Sequence, residues 1–114
     1  SSSKRFKHNI QDMNDTSELI NKLHPVTFAY NDDSTETLQY GLIAEEVEEV
    51  IPAIVTKDHD NLPLTVSYEI LSVLLLKEIQ KQQLTIEKLK EDNIQRDVII
   101  QNLLERIKSL EAKV

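Results

Sequence analysis

Between Tyr68 and Val114 the chain contains neither proline nor glycine, and residues of good helix propensity dominate. Nothing there breaks a helical hydrogen-bond ladder, so the stretch reads as one long helix. Its opening, Ile70-Leu71-Ser72-Val73-Leu74-Leu75-Leu76, is apolar nearly all round and is expected to be buried against a small globular part. From about Ile79 a heptad takes over, with Ile79, Ile86, Asn93, Ile100, Ile107 and Val114 at a and Gln82, Leu89, Arg96, Leu103 and Leu110 at d. Eight of these eleven positions are apolar, which is the pattern of a coiled coil. Asn93 in the seam would fix register at some cost in stability.

Ile and Leu at a and d favour two strands in parallel coiled coils. Against this, Arg106-Ile107-Lys108-Ser109-Leu110-Glu111 resembles the Arg-h-x-x-h-Glu signature of short trimeric coiled coils, where h is an apolar residue. In that signature the arginine at g pairs with a glutamate at e of a neighbour and covers the core with its methylenes. The reading is therefore a parallel trimer, with Ile86, Leu89, Asn93, Ile100, Leu103, Arg106, Ile107, Leu110 and Glu111 as its trimerisation residues. Ile94, Val98, Ile99 and Leu104 fall outside a and d and add apolar surface for a register shift or a further contact to absorb.

The residues before the helix alternate between turn signals and short periodic runs. Asp12 to Asn14 leads into Asp15-Thr16-Ser17-Glu18, a polar run suited to capping a short helix through Leu19, Ile20 and Leu23 that stops before Pro25. Val26 to Tyr30 reads as a strand and Leu38 to Tyr40 as its return. Gly41 to Pro52 reads as an amphipathic helix with Ile43, Val47, Val50 and Ile51 inward and four glutamates outward, a solvated face rather than a metal site. Pro52-Ala53-Ile54-Val55 leads to another strand; Lys57 to Asn61 forms a hairpin tip, and Leu62 to Val66 returns, with Ser67 a cap for the long helix. His24, ahead of Pro25, and the Asp58-His59-Asp60 triplet are read as structural.

The fold class is thus α+β: one domain, residues 1–114, with a head of short helices and strands (1–66) and a long C-terminal helix (67–114), coiled from about residue 79. With 39% hydrophobic residues, part of them on the helix, the core is small, and oligomerisation is an expected source of stability. Net charge is −7 and the pI about 4.9, which argues against sequence-independent nucleic-acid binding. The longest apolar patch is too short to span a bilayer, so no membrane partner is expected. Absence of cysteine excludes disulfides and thiolate metal sites. No metal or other cofactor is expected.

Chemistry concentrates in the first ten residues, Ser1-Ser2-Ser3-Lys4-Arg5-Phe6-Lys7-His8-Asn9-Ile10. A serine attacks a carbonyl when a neighbour takes its proton, and a neutral lysine serves as that base. At the ordinary lysine pKa of about 10.4, only roughly one in a few thousand is neutral at pH 7. A lysine base therefore requires burial or nearby cations, for which Lys4 and Arg5 are candidates. Ser2 and Lys7 lie five apart, a spacing that diverges by roughly 140° on a helix and falls on opposite faces of a strand. A Ser/Lys dyad thus requires a turn held by tertiary or inter-chain packing, and a frayed, solvated terminus is the alternative reading.

This opening resembles the Ser-Asp-x-Arg-Leu-Lys-x-Asn-Ile start of the C-terminal intramolecular chaperone, or auto-processing, domains of bacteriophage tail spikes, endosialidases and neck appendages, a domain related to one in myelin regulatory factor. Ser2, Arg5, Lys7 and Asn9 match identically with Ile10 following, while Ser3 stands for aspartate and Phe6 for leucine. Gly41 to Val47 resembles the Gly-Phe-Ile-Ala-Gln-Glu-Val helix of the same family, and Val66-Ser67-Tyr68 its Val-Asp-Tyr. The resemblance implies Ser2 as nucleophile, with Ser1 and Ser3 as alternatives, Lys7 as base, and Arg5 and Asn9 as supports. It also implies a homotrimer that registers an upstream fibre of the same precursor in the host cytoplasm during virion assembly, then cuts itself away and is absent from the mature virion. A non-catalytic trimerisation or adaptor module is the alternative function.

Overall fold

A computed structural model describes residues 1–114. In chain order it contains 3-10 turns at Lys4–Phe6 and Asp15–Lys22, strands β1 (Val26–Phe28) and β2 (Gln39–Gly41), helix α1 (Ala44–Val50), a 3-10 turn at Pro52–Ile54, strands β3 (Val55–Lys57) and β4 (Pro63–Val66), and helix α2 (Tyr68–Glu111). The short helices, small hairpins and long C-terminal helix expected from the sequence are therefore present. Residues 1–78 and 79–114 form two compact units.

In the first unit, one antiparallel hairpin precedes α1 in the chain and a second follows it and packs on it. β1 pairs with β2 in the register Val26 to Gly41, Thr27 to Tyr40 and Phe28 to Gln39. β3 pairs with β4 through Val55 to Val66 and Thr56 to Thr65, with an irregularity between Thr56 and Lys57. Asp33 organises the first loop: its carboxylate accepts from the Thr35 amide and hydroxyl at 3.0 and 2.6 Å and from the Thr37 amide at 3.0 Å. The hydrogen bond from the Thr35 hydroxyl, joined by the two amides, holds the Asp33 carboxyl down to about 2. Its contribution is complete above the ordinary aspartate range and disappears as pH falls through about 2. At the second tip, Asp58 accepts from the amides of Asp60 and Leu62 at 2.8 and 3.0 Å, while Asn61 takes the left-handed conformation (φ 62°) that asparagine tolerates.

Val47, Ile51, Ile54 and Leu74 make the buried core, with Met13, Leu19, Leu23, Val55, Val66 and Leu71 packed around it. Pro52 separates α1 from the next turn and rotates the chain, so that Ile51 and Ile54 both point inward. The start of α2 differs from expectation. Only Leu74 is fully buried there and Leu71 partly, whereas Ile70, Val73, Leu75 and Leu76 stay 44–54% exposed. The small head covers one face of a helix that is apolar on several.

Polar contacts of fixed geometry seat α2 on the head. The Ser67 hydroxyl accepts from the Ile70 amide at 3.4 Å, capping α2, and the Tyr68 hydroxyl accepts from the Leu42 amide at 3.1 Å. That second bond explains Gly41: a Cβ there would stand 2.9 Å from the Tyr68 hydroxyl and 3.3 Å from the Phe28 ring. Deeper in, the Ser17 hydroxyl donates to Glu78 Oε1 at 2.8 Å, with Ser17 fully buried and Glu78 only 7% exposed. Sixty-one residues apart in sequence, they tie the Asp15–Lys22 turn to α2.

In the second unit α2 continues to Glu111, and the side chains of Ile86, Leu89, Ile100, Leu103, Ile107 and Leu110 are all exposed on the single chain. No helix is long and apolar enough to cross a membrane.

The Ser17 to Glu78 bond yields a stability prediction. Ser17→Ala removes a donor from a buried carboxylate and is expected to cost about 1–3 kcal/mol. Urea unfolding checks this, and an unchanged midpoint would show that the bond contributes nothing.

Candidate functional site: the N-terminal arm

Residues 1–14 form an arm leading into the head. Ser3 caps its only regular turn, Lys4–Phe6, accepting from the Arg5 amide at 3.4 Å, while the Phe6 and Lys7 amides donate to the Ser3 and Lys4 carbonyls at 3.1 Å. The Arg5 guanidinium braces the same turn, with Nη1 donating to Ser3 Oγ at 3.3 Å and the group lying 4.5 Å over the Phe6 ring. The turn therefore lies between Ser2 and Lys7, where neither a helix nor a strand would bring them to one side. Both residues are exposed on the single chain, and no hydrogen bond joins the Ser2 hydroxyl to the Lys7 amine.

Ser1 Oγ accepts from the Ser3 amide at 3.4 Å, so of the three serines Ser1 and Ser3 hold the backbone. Past the turn, Lys7 is extended and Asn9 has φ 53°, the left-handed region that asparagine enters more readily than most side chains. This bends the chain after Lys7. Further on, Met13 packs on the core, and Asn14 Oδ1 accepts from the Thr16 amide at 3.0 Å to start the turn that carries Ser17. Phe6 and Ile10 remain 63% and 64% exposed, leaving two apolar side chains uncovered on the arm.

The other sequence candidates lie elsewhere. Glu46 lies 3.6 Å from His24, and Glu48 pairs with the Lys57 ammonium at 3.7 Å, both near the surface. His59 lies 3.4 Å from Asp60 on the exposed hairpin tip. Ile86, Leu89, Asn93, Ile100, Leu103, Arg106, Ile107, Leu110 and Glu111 all lie on α2, beyond the unit that contains the arm.

A family model described as chaperone of endosialidase, and named as a peptidase, matches residues 2–56. Over residues 2–56 the chain is similar to this family. The match runs from the arm through both strands of the first hairpin and α1 into β3. The family is the one that the opening resembles, and its description is that of a chaperone. No curated protein matches the chain. In the Ser-Asp-x-Arg opening that the arm resembles, an aspartate stands in place of Ser3. A carboxylate there would accept from the Arg5 amide and guanidinium as Ser3 does, with charge assistance. The substitution therefore keeps the cap and weakens the brace.

Two features of this unit escaped the sequence. The Ser17 to Glu78 pair has no local signal because its members are far apart in the chain, while Gly41 and Tyr68 were visible as motif residues without any sign that they meet.

The φ of Asn9 separates two roles for its side chain. Asn9→Gly keeps the left-handed bend and removes the amide, whereas Asn9→Val opposes the bend by about 1–2 kcal/mol. If the amide only permits the bend, Asn9→Gly self-processes at the parent rate and Asn9→Val is slowed; loss of processing in Asn9→Gly would assign the amide a direct part.

Proposed function

We propose that this chain is a C-terminal intramolecular chaperone that trimerises through α2, sets three copies of an upstream fibre or spike segment in register, and then releases itself by Ser/Lys autoproteolysis. The observation that carries the reading is the family match over an arm that folds a turn between Ser2 and Lys7. The exposed a and d residues of α2 support the trimer, since six large apolar side chains along one seam are costly to leave in water. Assembly takes place in the host cytoplasm before the mature particle is complete.

The chemistry uses the chain's own groups. Lys7 in its neutral form takes the Ser2 hydroxyl proton as Oγ attacks the carbonyl of the preceding residue. The C–N bond breaks, the proton passes to the departing Ser2 nitrogen, and an ester joins the upstream carbonyl to Oγ. Water then opens the ester, giving an upstream carboxylate and a free Ser2 hydroxyl. Each chain turns over once. In this account Arg5 holds the turn, and Asn9 sets the bend that follows Lys7. A neighbouring chain packed on the exposed arm would supply the desolvation that a lysine base requires. After release, the intertwined fibre is kinetically trapped because its template is gone.

The alternative, a non-catalytic trimerisation or adaptor module, draws on the exposure of Ser2 and Lys7 in the single chain. Expression with the natural preceding sequence, followed by denaturing electrophoresis and mass measurement of the fragments, separates the two. Cleavage before Ser2 is expected. Lys7→Arg, which keeps the charge but cannot act as a base, should abolish it in a chain that still assembles. Cleavage by Lys7→Arg at the parent rate, or cleavage that survives Ser2→Ala but not Ser1→Ala, would contradict the assignment.

A further inference from the structure

Counted back along α2, the heptad that starts at Ile79 puts Leu75 at d, Leu76 at e and Leu71 at g. Leu71 and Leu75 form one wall of an open groove of 640 Å³ in the head, whose other walls include Ile20, Leu23, Val26 and Tyr40. Every residue lining the groove is uncharged. On the same helix Val73 and Leu76 are 50% and 54% exposed and face away from the core.

In a parallel coiled coil, a g residue faces the e residue of the neighbour's following heptad. By that rule Leu71, in the groove wall, faces Leu76 of a second copy. The same offset pairs Ile99 with Leu104 and Arg106 with Glu111, apolar with apolar and cation with anion, while Asp92 and Asp97 are its one like-charged pair. The groove is thus continuous with the face that the heptad assigns to the seam. Area agrees: a compact chain of 13.1 kDa exposes about 6,400 Å², and this one exposes 9936 Å². The excess is on the scale of obligate homomeric interfaces.

We propose that the head groove is an intermolecular site and that its occupant is a second copy of this chain, which seats Leu76, with Val73 one turn earlier, against Leu71, Leu75 and Tyr40. This rests on the parallel trimer proposed above and makes the head part of the interface. Ile20 and Leu23 in the groove belong to and follow the Asp15–Lys22 turn, which the arm enters at Asn14. Filling the groove therefore loads the segment from which the arm extends, and links assembly to the placement of Ser2 and Lys7.

The chain lacks cysteine, so introduced thiols report cleanly. A tagged Tyr40→Cys chain is coexpressed with an untagged Leu76→Cys chain and treated with a short bismaleimide. A cross-linked band containing one chain of each kind is expected. In parallel, Leu76→Asp should raise the concentration for half-assembly at least about tenfold in sedimentation equilibrium, while circular dichroism reports an intact helix. A parent that sediments as a trimer, without a mixed cross-link and with Leu76→Asp assembling as well as the parent, would overturn the groove assignment and leave the trimer standing. A parent that remains monomeric at every concentration would overturn both.

Discussion

The head is organised by the burial of Leu74 of α2 against Val47, Ile51 and Ile54. Four buried apolar side chains make a thin core for a unit that runs from Ser1 to Glu78, and polar contacts of fixed geometry supply what packing alone leaves undetermined. Tyr68 holds the approach to α1 through the Leu42 amide, Ser67 caps α2, and Ser17 meets Glu78 in the interior. The first and last connect α2 to different parts of the head, while the Ser67 cap fixes its start. The second hairpin packs on α1, Leu74 of α2 completes the core, and the head leaves other apolar side chains of α2 uncovered.

The long helix was legible because nothing between Tyr68 and Val114 interrupts it, and its structured end at Glu111 differs only by terminal fraying. The hairpins were legible from β-branched runs between turn residues. Local signals between Asp15 and Lys22 were less reliable: the run through Leu19 and Ile20 forms a 3-10 turn, since Asn14 caps it and Pro25 leaves little length beyond. The burial expected of residues 70–76 is incomplete for a related reason. A continuous apolar run identifies surfaces that avoid water without saying whether the same chain or another covers them.

The arm divides in the same way. Ser2, Arg5, Lys7 and Asn9 could be picked out from spacing and resemblance, but the parts played by Ser3 and Asn9 are conformational and become visible only in coordinates. Ser3 holds the turn as cap and arginine acceptor, and Asn9 bends the chain after Lys7. The turn is local, closed by hydrogen bonds among residues 3–7. Burial of Lys7 is the part that a short exposed arm cannot provide for itself, which makes assembly the natural trigger for the proposed chemistry.

Dependence of self-cleavage on assembly is the central claim, and a dilution series tests it most directly. The chain, expressed with its natural preceding sequence as Lys7→Cys and purified uncut, is alkylated with bromoethylamine to restore an amine base, and the cleavage rate is then followed while analytical sedimentation gives the trimer fraction at each concentration. The account predicts that the rate per chain follows the trimer fraction and falls steeply below the assembly concentration. A rate per chain that stays constant into the range where only monomer is present would contradict it.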